Sequence, residues 1–143
     1  MNAAVIVSVI SAAASVIVAA VSFYLTKKKE READWRKYKY EQYKEFMISI
    51  SGIVGGDSTP EGNRLFAKAC NTLHLIGSKG VLAALHAYQD EIRFSNPNHS
   101  AALEVELLSK LIWEIREDIK IPGTPEASEF SVHLWSSGTK PKE

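Results

Sequence analysis

The 143-residue chain has a single cysteine, Cys70, which excludes an intrachain disulfide and any metal site built from several thiolates. A lone cysteine on a predicted helix is usually a small buried apolar residue, and we expect that role here. The sequence also lacks a phosphate-binding glycine loop, a nucleophile elbow and an ordered Ser-His-Asp set. We therefore predict no catalytic residue, no cofactor and no metal.

Charge is absent from the beginning of the chain up to Lys27, and residues 3–25 contain neither glycine nor proline. This segment of 23 residues has eleven Val, Ile, Leu or Phe, seven Ala, four Ser and one Tyr. At about 1.5 Å per residue, such a helix spans about 34 Å, slightly more than the hydrocarbon core of a bilayer. Residues 1–26 are therefore predicted to be a transmembrane anchor.

A cleaved signal peptide is the main alternative to an anchor. It requires a basic segment before an apolar core of about 7–15 residues, whereas here the positive charges follow a longer apolar run. A buried helix of a soluble protein is a weaker alternative, because such a helix is seldom uncharged on every face.

Four basic residues follow the anchor directly: Lys27, Lys28, Lys29 and Arg31. Residues 27–45 hold eight Lys or Arg against five Asp or Glu, although the whole chain has seventeen of each sign. Basic flanks stay in the cytoplasm and attract anionic lipid headgroups. We therefore predict a single-pass topology with the N-terminus outside and the C-terminus cytoplasmic, and headgroup contacts for these four residues.

The segment "WRKYKYEQYKEF" (35–46) interleaves aromatic and basic residues, as proteins that bind single-stranded nucleic acids do. Its position beside the anchor favours headgroup contact and helix packing instead, so nucleic acid is not an expected partner.

Small residues share one face of the anchor when positions are placed at 100° intervals, and we call five of them the serine stripe: Ser8, Ser11, Ser15, Ala19 and Ser22. On one interpretation the hydroxyls only bond their own i−4 carbonyls. On another, the stripe lets two helices approach closely and bond across the contact, which predicts a homo-oligomer. A ring with serines lining a water path is the alternative, and it would make the protein a membrane-disrupting or pore-forming effector.

Beyond the anchor, four amphipathic segments predict an all-α protein with an antiparallel helical bundle of about four helices. The first is a juxtamembrane stalk (27–56) that continues the transmembrane helix. Its apolar face is predicted at Trp35, Tyr38, Gln42, Phe46, Ile50 and Ile53. The other three segments lie within 57–125, where Thr59, followed by Pro60, and Ser100 are predicted to be N-caps.

The last segment, 126–143, is predicted to be a short extended tail. Phe130, Val132 and Leu134 alternate with Ser131, His133 and Trp135, a pattern typical of a strand. Because one strand cannot form a sheet, the tail must pack on the bundle, pair with another copy or bind a partner. The candidate partner-binding residues are Phe130, Val132, Leu134 and Trp135.

One spacing resembles that of a metal site: His86 precedes Asp90 by four residues and shares its helical face. Two ligands without a third favour a solvated histidine, so a small metal-dependent enzyme remains only the second alternative function.

The segment "TPEGNRLFAKACNTLHLIGSKGVLAALHAYQDEIR" (59–93), preceded by the anchor, resembles small bacterial single-pass membrane-anchored helical proteins of unassigned function. The resemblance implies a bacterial inner membrane and carries no catalytic residue to this chain. We therefore predict a membrane-anchored interaction or scaffold protein. Its partners would be the bilayer, further copies of itself and an unknown cytoplasmic protein.

Overall fold

A computed structural model describes residues 2–137, and across them the chain forms helices and no strand, which confirms the all-α prediction. The α-helices are α1 (Ala3–Ile50), α2 (Pro60–Ile76), α3 (Lys79–Ile92) and α4 (Ala101–Asp118). Two short 3-10 turns, Gly55–Asp57 and Ala127–Glu129, lie in the connecting segments. Residue 1 of the predicted anchor and residues 138–143 of the predicted tail lie outside the described residues.

The chain divides after Lys37 into two compact units. The first contains the apolar part of α1, which continues without a break because no glycine or proline interrupts it. None of its described side chains is buried. Among residues 2–137, α1 is the one helix long and apolar enough to cross a membrane.

Side-chain caps set the beginnings of the three shorter helices in the second unit. Thr59 Oγ1 accepts a hydrogen bond from the Gly62 N–H at 3.0 Å, as predicted for a cap before Pro60. Ser100 Oγ accepts from Leu103 N–H at 3.4 Å, which confirms the other predicted cap. Ser78 caps α3 in the same way and was not anticipated from the sequence.

The second unit buries one apolar face of each helix in a common core. The rings of Phe46 and Phe66 lie 5.9 Å apart, and Phe66 meets Tyr88 edge-on at 6.4 Å, so these aromatics connect α1, α2 and α3. Core residues are Tyr43, Phe46, Ile50, Phe66, Cys70, Leu73, Ile76, Val81, Ala84, Leu85, Tyr88, Leu108, Leu111, Ile112, Ile115 and Ile119.

The buried face of α1 differs from the predicted one. Phe46 and Ile50 are buried as expected, but Trp35 and Tyr38 are each about half exposed, whereas Tyr43 is only 2% exposed. Tyr43 can be buried because its hydroxyl donates a hydrogen bond to Asp118 Oδ2. The helical spacing of apolar residues in the sequence did not identify Asp118 as the partner of Tyr43.

A close backbone contact joins the turn after α1 to the first turn of α2. A Cβ added to Gly62 would lie 2.1 Å from the carbonyl oxygen of Gly52, a distance that backbone atoms cannot relieve without moving. Position 62 therefore requires glycine for steric reasons.

Candidate functional site

The serine stripe lies on a fully exposed part of α1. Ser8 Oγ donates to the Ala4 carbonyl at 2.8 Å, and Ser15 Oγ donates to the Ser11 carbonyl at 2.8 Å. These bonds are the local i−4 interactions of the simpler interpretation. A hydroxyl oxygen that donates in this way still has lone pairs that accept, so the bonds leave the oligomer prediction open.

The basic residues after the anchor form local contacts on the same helix. Lys27 Nζ lies 2.7 Å from Glu30 Oε2 and 5.9 Å from the centre of the Phe23 ring. Arg31 Nε donates to the Lys27 carbonyl at 3.4 Å. All four predicted headgroup residues are exposed, so the charged groups of Lys27, Lys28, Lys29 and Arg31 are accessible to lipid headgroups.

The tail packs on the bundle with its first two candidate residues. Phe130 and Val132 are partly buried against the core, and Phe130 lies under Arg116, whose Cζ is 5.7 Å from the ring centre. Val132 N–H donates to Ser109 Oγ at 3.0 Å. The described part of the tail therefore pairs with no other strand. Helix α4 supplies the hydrogen-bond acceptor, Ser109, and contacts the ring of Phe130 through Arg116.

The other two candidate residues are more exposed to solvent. Leu134 is 38% exposed and Trp135 is 95% exposed. Beyond them, the N–H and hydroxyl of Ser137 donate to Asp57 at 2.6 and 2.5 Å. The Ser137 hydroxyl lowers the pKa of Asp57, since both bonds favour the ionised carboxylate. The tail is thus held at two points, at Ser109 and at Asp57, with Leu134 and Trp135 between them.

A polar cluster that sequence reasoning missed connects the C-terminal end of α4 to α1. Lys39 Nζ donates to both oxygens of Asp118, at 2.9 and 2.8 Å, and Tyr43 donates to the same carboxylate. Burial, and then the hydrogen bond to Asp118, raise the pKa of Tyr43. Lys39 and Tyr43 lie 79 and 75 positions before Asp118, so no local pattern could have paired them with it.

A second missed residue is Glu91, which is 7% exposed at the end of α3. Its carboxylate accepts from Ser100 N–H at 2.6 Å and from Asn96 Nδ2 at 3.3 Å. Because both donors lie in the loop before α4, this buried carboxyl group fixes the loop against the end of α3.

The predicted His86 and Asp90 pair does not converge. Asp90 Oδ1 lies 2.5 Å from Arg93 Nη2, whereas the Nε2 atom of His86 lies 3.0 Å from Nε2 of His74. Within residues 2–137, no group of three or more His, Cys, Asp or Glu side chains is placed to hold a metal.

Cys70 is 1% exposed, which confirms its predicted buried position. Burial raises the pKa of its thiol to about 11, so the reactive thiolate is scarce at neutral pH.

A shallow cleft of about 320 Å³ lies between α1 and α2. Ile48 and Leu65, each about half exposed, form its apolar walls, and Glu45 and Lys68 add one charge of each sign.

No protein family, curated protein or solved structure matches the chain, so the resemblance of residues 59–93 stays a prediction.

Proposed function

We propose that the protein is a single-pass scaffold of the bacterial inner membrane, which self-associates through α1 and presents its helical bundle to a cytoplasmic protein. The observation that carries the proposal is the contrast within α1. Its N-terminal half is apolar or small on every face and buries nothing within the chain, whereas its C-terminal end buries Phe46 and Ile50. A helix of this kind needs a bilayer, or other helices within one, to cover its apolar surface.

The basic residues after the anchor support a cytoplasmic bundle. Each costs about 2.5–3.5 kcal/mol at the centre of a bilayer, so Lys27, Lys28, Lys29 and Arg31 would end the membrane-spanning segment. Since positive flanks are retained on the cytoplasmic side, α2 to α4 would lie in the cytoplasm.

The serine stripe supports self-association because its side chains are small and lie on one face of the helix. Ser8 and Ser15 donate their hydroxyl hydrogens within the helix, so at these two positions a second stripe can approach without leaving a donor unpaired. Close backbone packing would then hold the contact, and an interhelical hydrogen bond, at about 0.6 kcal/mol, would need a donor other than these two hydroxyls.

The exposed part of the tail supports a partner surface. Trp135 presents nearly its whole side chain to solvent, and aromatic residues contribute much of the binding energy at protein interfaces. Phe130 and Val132 would position this surface by packing on the bundle, while Leu134 and Trp135 would contact the partner.

Crosslinking of the full-length chain in membranes tests the self-association. Ser15→Leu places a large side chain in the stripe and should reduce the crosslinked dimer several-fold. Ala13→Leu is the matched control, because an ideal helix places residue 13 about 160° away from the centre of the stripe, and it should leave the dimer unchanged. Equal amounts of crosslinked dimer in the two variants would overturn the proposed self-association through the stripe.

The pore-forming alternative has a separate readout. Purified protein in liposomes loaded with a potassium-sensitive dye should release no ions if the stripe only joins helices. Ion flux that Ser15→Val abolishes would assign the stripe to a water path instead.

A further inference from the structure

Two histidines on neighbouring helices face each other across the α2–α3 corner. His74 lies in the last turn of α2 and His86 in the middle of α3, and only Gly77 and Ser78 separate the two helices. Their Nε2 atoms are 3.0 Å apart, and the rings lie 5.2 Å apart with a tilt of 31°. Both side chains are exposed, so the space beyond the two nitrogens is open to solvent.

The backbone fixes which nitrogen of His74 carries its hydrogen. His74 Nδ1 lies 3.1 Å from the Cys70 carbonyl oxygen, which can only accept, so Nδ1 is the donor. The neutral ring therefore has its lone pair on Nε2, directed at His86. Histidines that bind metals typically donate their other ring N–H to a backbone carbonyl or a carboxylate in this way.

The distance between the two Nε2 atoms is that of an N–H···N hydrogen bond, so one ring donates and the other accepts. Without a metal, His86 Nε2–H donates to the lone pair of His74 Nε2. A metal ion can replace this hydrogen if His86 moves its proton to Nδ1, which is possible because its side chain is exposed to water. Both rings stay neutral in this exchange, and no proton is lost from the protein.

We propose that His74 and His86 form a two-histidine binding site for a divalent first-row transition metal, with Cu²⁺ bound most tightly. With metal–nitrogen distances of about 2.0–2.1 Å, nitrogens 3.0 Å apart subtend about 94° at the ion. The two rings point almost directly at each other, so each exposed side chain must rotate to turn its lone pair towards a shared ion. Cu²⁺ should bind more tightly than Ni²⁺ or Zn²⁺, because the affinity of nitrogen ligands for divalent first-row ions is greatest at Cu²⁺.

The remaining coordination positions belong to water. Asp90, one turn beyond His86, is the nearest carboxylate along α3, but its Oδ1 lies 2.5 Å from Arg93 Nη2. The site therefore connects α2 to α3 through two imidazoles alone. Hard cations such as Ca²⁺ and Mg²⁺ should not occupy it, because they prefer oxygen ligands.

Titration of the full-length protein in detergent micelles with Cu²⁺ alone tests the site. We expect one ion per chain by calorimetry, with hyperfine coupling to two nitrogens in the electron paramagnetic resonance spectrum. His74→Ala and His86→Ala should each weaken binding at least about tenfold, since even loss of an outer-shell partner costs about 10–100-fold. Both residues are exposed, so circular dichroism should show an intact fold.

His99→Ala is the matched control, because His99 is exposed and lies 2.8 Å from Glu104 Oε2, in the loop before α4. It should bind Cu²⁺ as the unmodified chain does. The proposal is overturned if either His74→Ala or His86→Ala binds with unchanged affinity, or if His99→Ala binds as weakly as they do. Competition by Ca²⁺ at equal concentration would also overturn it.

Discussion

The apolar half of α1 and the helix α4 both contain many aliphatic residues, but they distribute them differently. Residues 3–25 are apolar or small on every face, and none of them is buried within the chain. Helix α4 places Leu108, Leu111, Ile112 and Ile115 on one buried face and charged residues on the other. The first pattern has the length and composition to cross a bilayer, whereas the second is that of a helix packed on neighbouring helices.

The two regions also satisfy their polar groups differently. In the apolar half of α1, Ser8 and Ser15 bond to carbonyls one turn back in the same helix. In the bundle, Asp118 and Glu91 bond to groups on other elements. Substitutions should therefore act on membrane insertion in one region and on the free energy of unfolding in the other.

The largest expected effect is in the bundle core. Leu85 is 0% exposed, and Leu85→Ala should lower the free energy of unfolding by about 2–5 kcal/mol through lost burial and the cavity left behind. A urea titration in which alkylation of the buried Cys70 reports unfolding measures this loss. The matched control Leu75→Ala, at 81% exposure, should change stability by less than about 0.5 kcal/mol. Equal losses would contradict the assignment of the core.

A charge in the anchor should have the next largest effect. Ala14→Arg places a cation near the middle of residues 3–25, which should cost about 2.5–3.5 kcal/mol for insertion. The fraction of protein that remains in carbonate-washed membranes should fall accordingly. Ala83→Arg, on the exposed surface of α3, should leave that fraction unchanged. Full retention of the Ala14→Arg chain would count against a membrane-spanning helix.

The contact between Tyr43 and Asp118 predicts a smaller, pH-dependent effect. Tyr43→Phe removes a hydrogen bond to a charged group and should cost about 1.5–3 kcal/mol at neutral pH. Burial, and then Asp118, raise the pKa of Tyr43 above its unfolded value. The native state therefore keeps a proton that the unfolded chain loses from about pH 10 upward, so this contribution is complete below pH 10 and declines above it.

Urea titrations at several pH values between neutrality and pH 11 check this sign. The difference in stability between the two chains should shrink above pH 10, because Tyr43→Phe has no phenol to ionise. Tyr88, whose pKa burial also raises, is present in both chains and cancels from the difference. A difference that grows with pH would contradict the prediction.

The smallest expected effect on stability is at the end of the tail. Trp135 is almost fully exposed, so Trp135→Ala should change the free energy of unfolding by less than about 0.5 kcal/mol. The same urea titration measures it. Trp113→Ala is the comparison, since Trp113 Nε1 donates to the Pro125 carbonyl at 2.8 Å. This variant should lose more stability than Trp135→Ala. A large loss at Trp135 would assign it to the fold rather than to a partner surface.

Local signals account for what the sequence could predict. Thr59 and Ser100 begin their helices at the predicted positions, because a cap depends only on the next three residues. Cys70 is buried as its place in the helical period indicates. The face of α1 was only partly predicted, because Tyr38 and Tyr43 are chemically alike and only the distant Asp118 distinguishes them.

The sequence by itself determined the helical class, the helix beginnings and a segment with the length and composition to cross a bilayer, since each depends on residues close together in the chain. Only the tertiary structure decided that Tyr43 and Lys39 meet Asp118, that Phe130 and Val132 pack on the bundle, and that His74 faces His86. Such pairs depend on how helices pack in space, and side-chain periodicity within one helix carries no information about its partner on another.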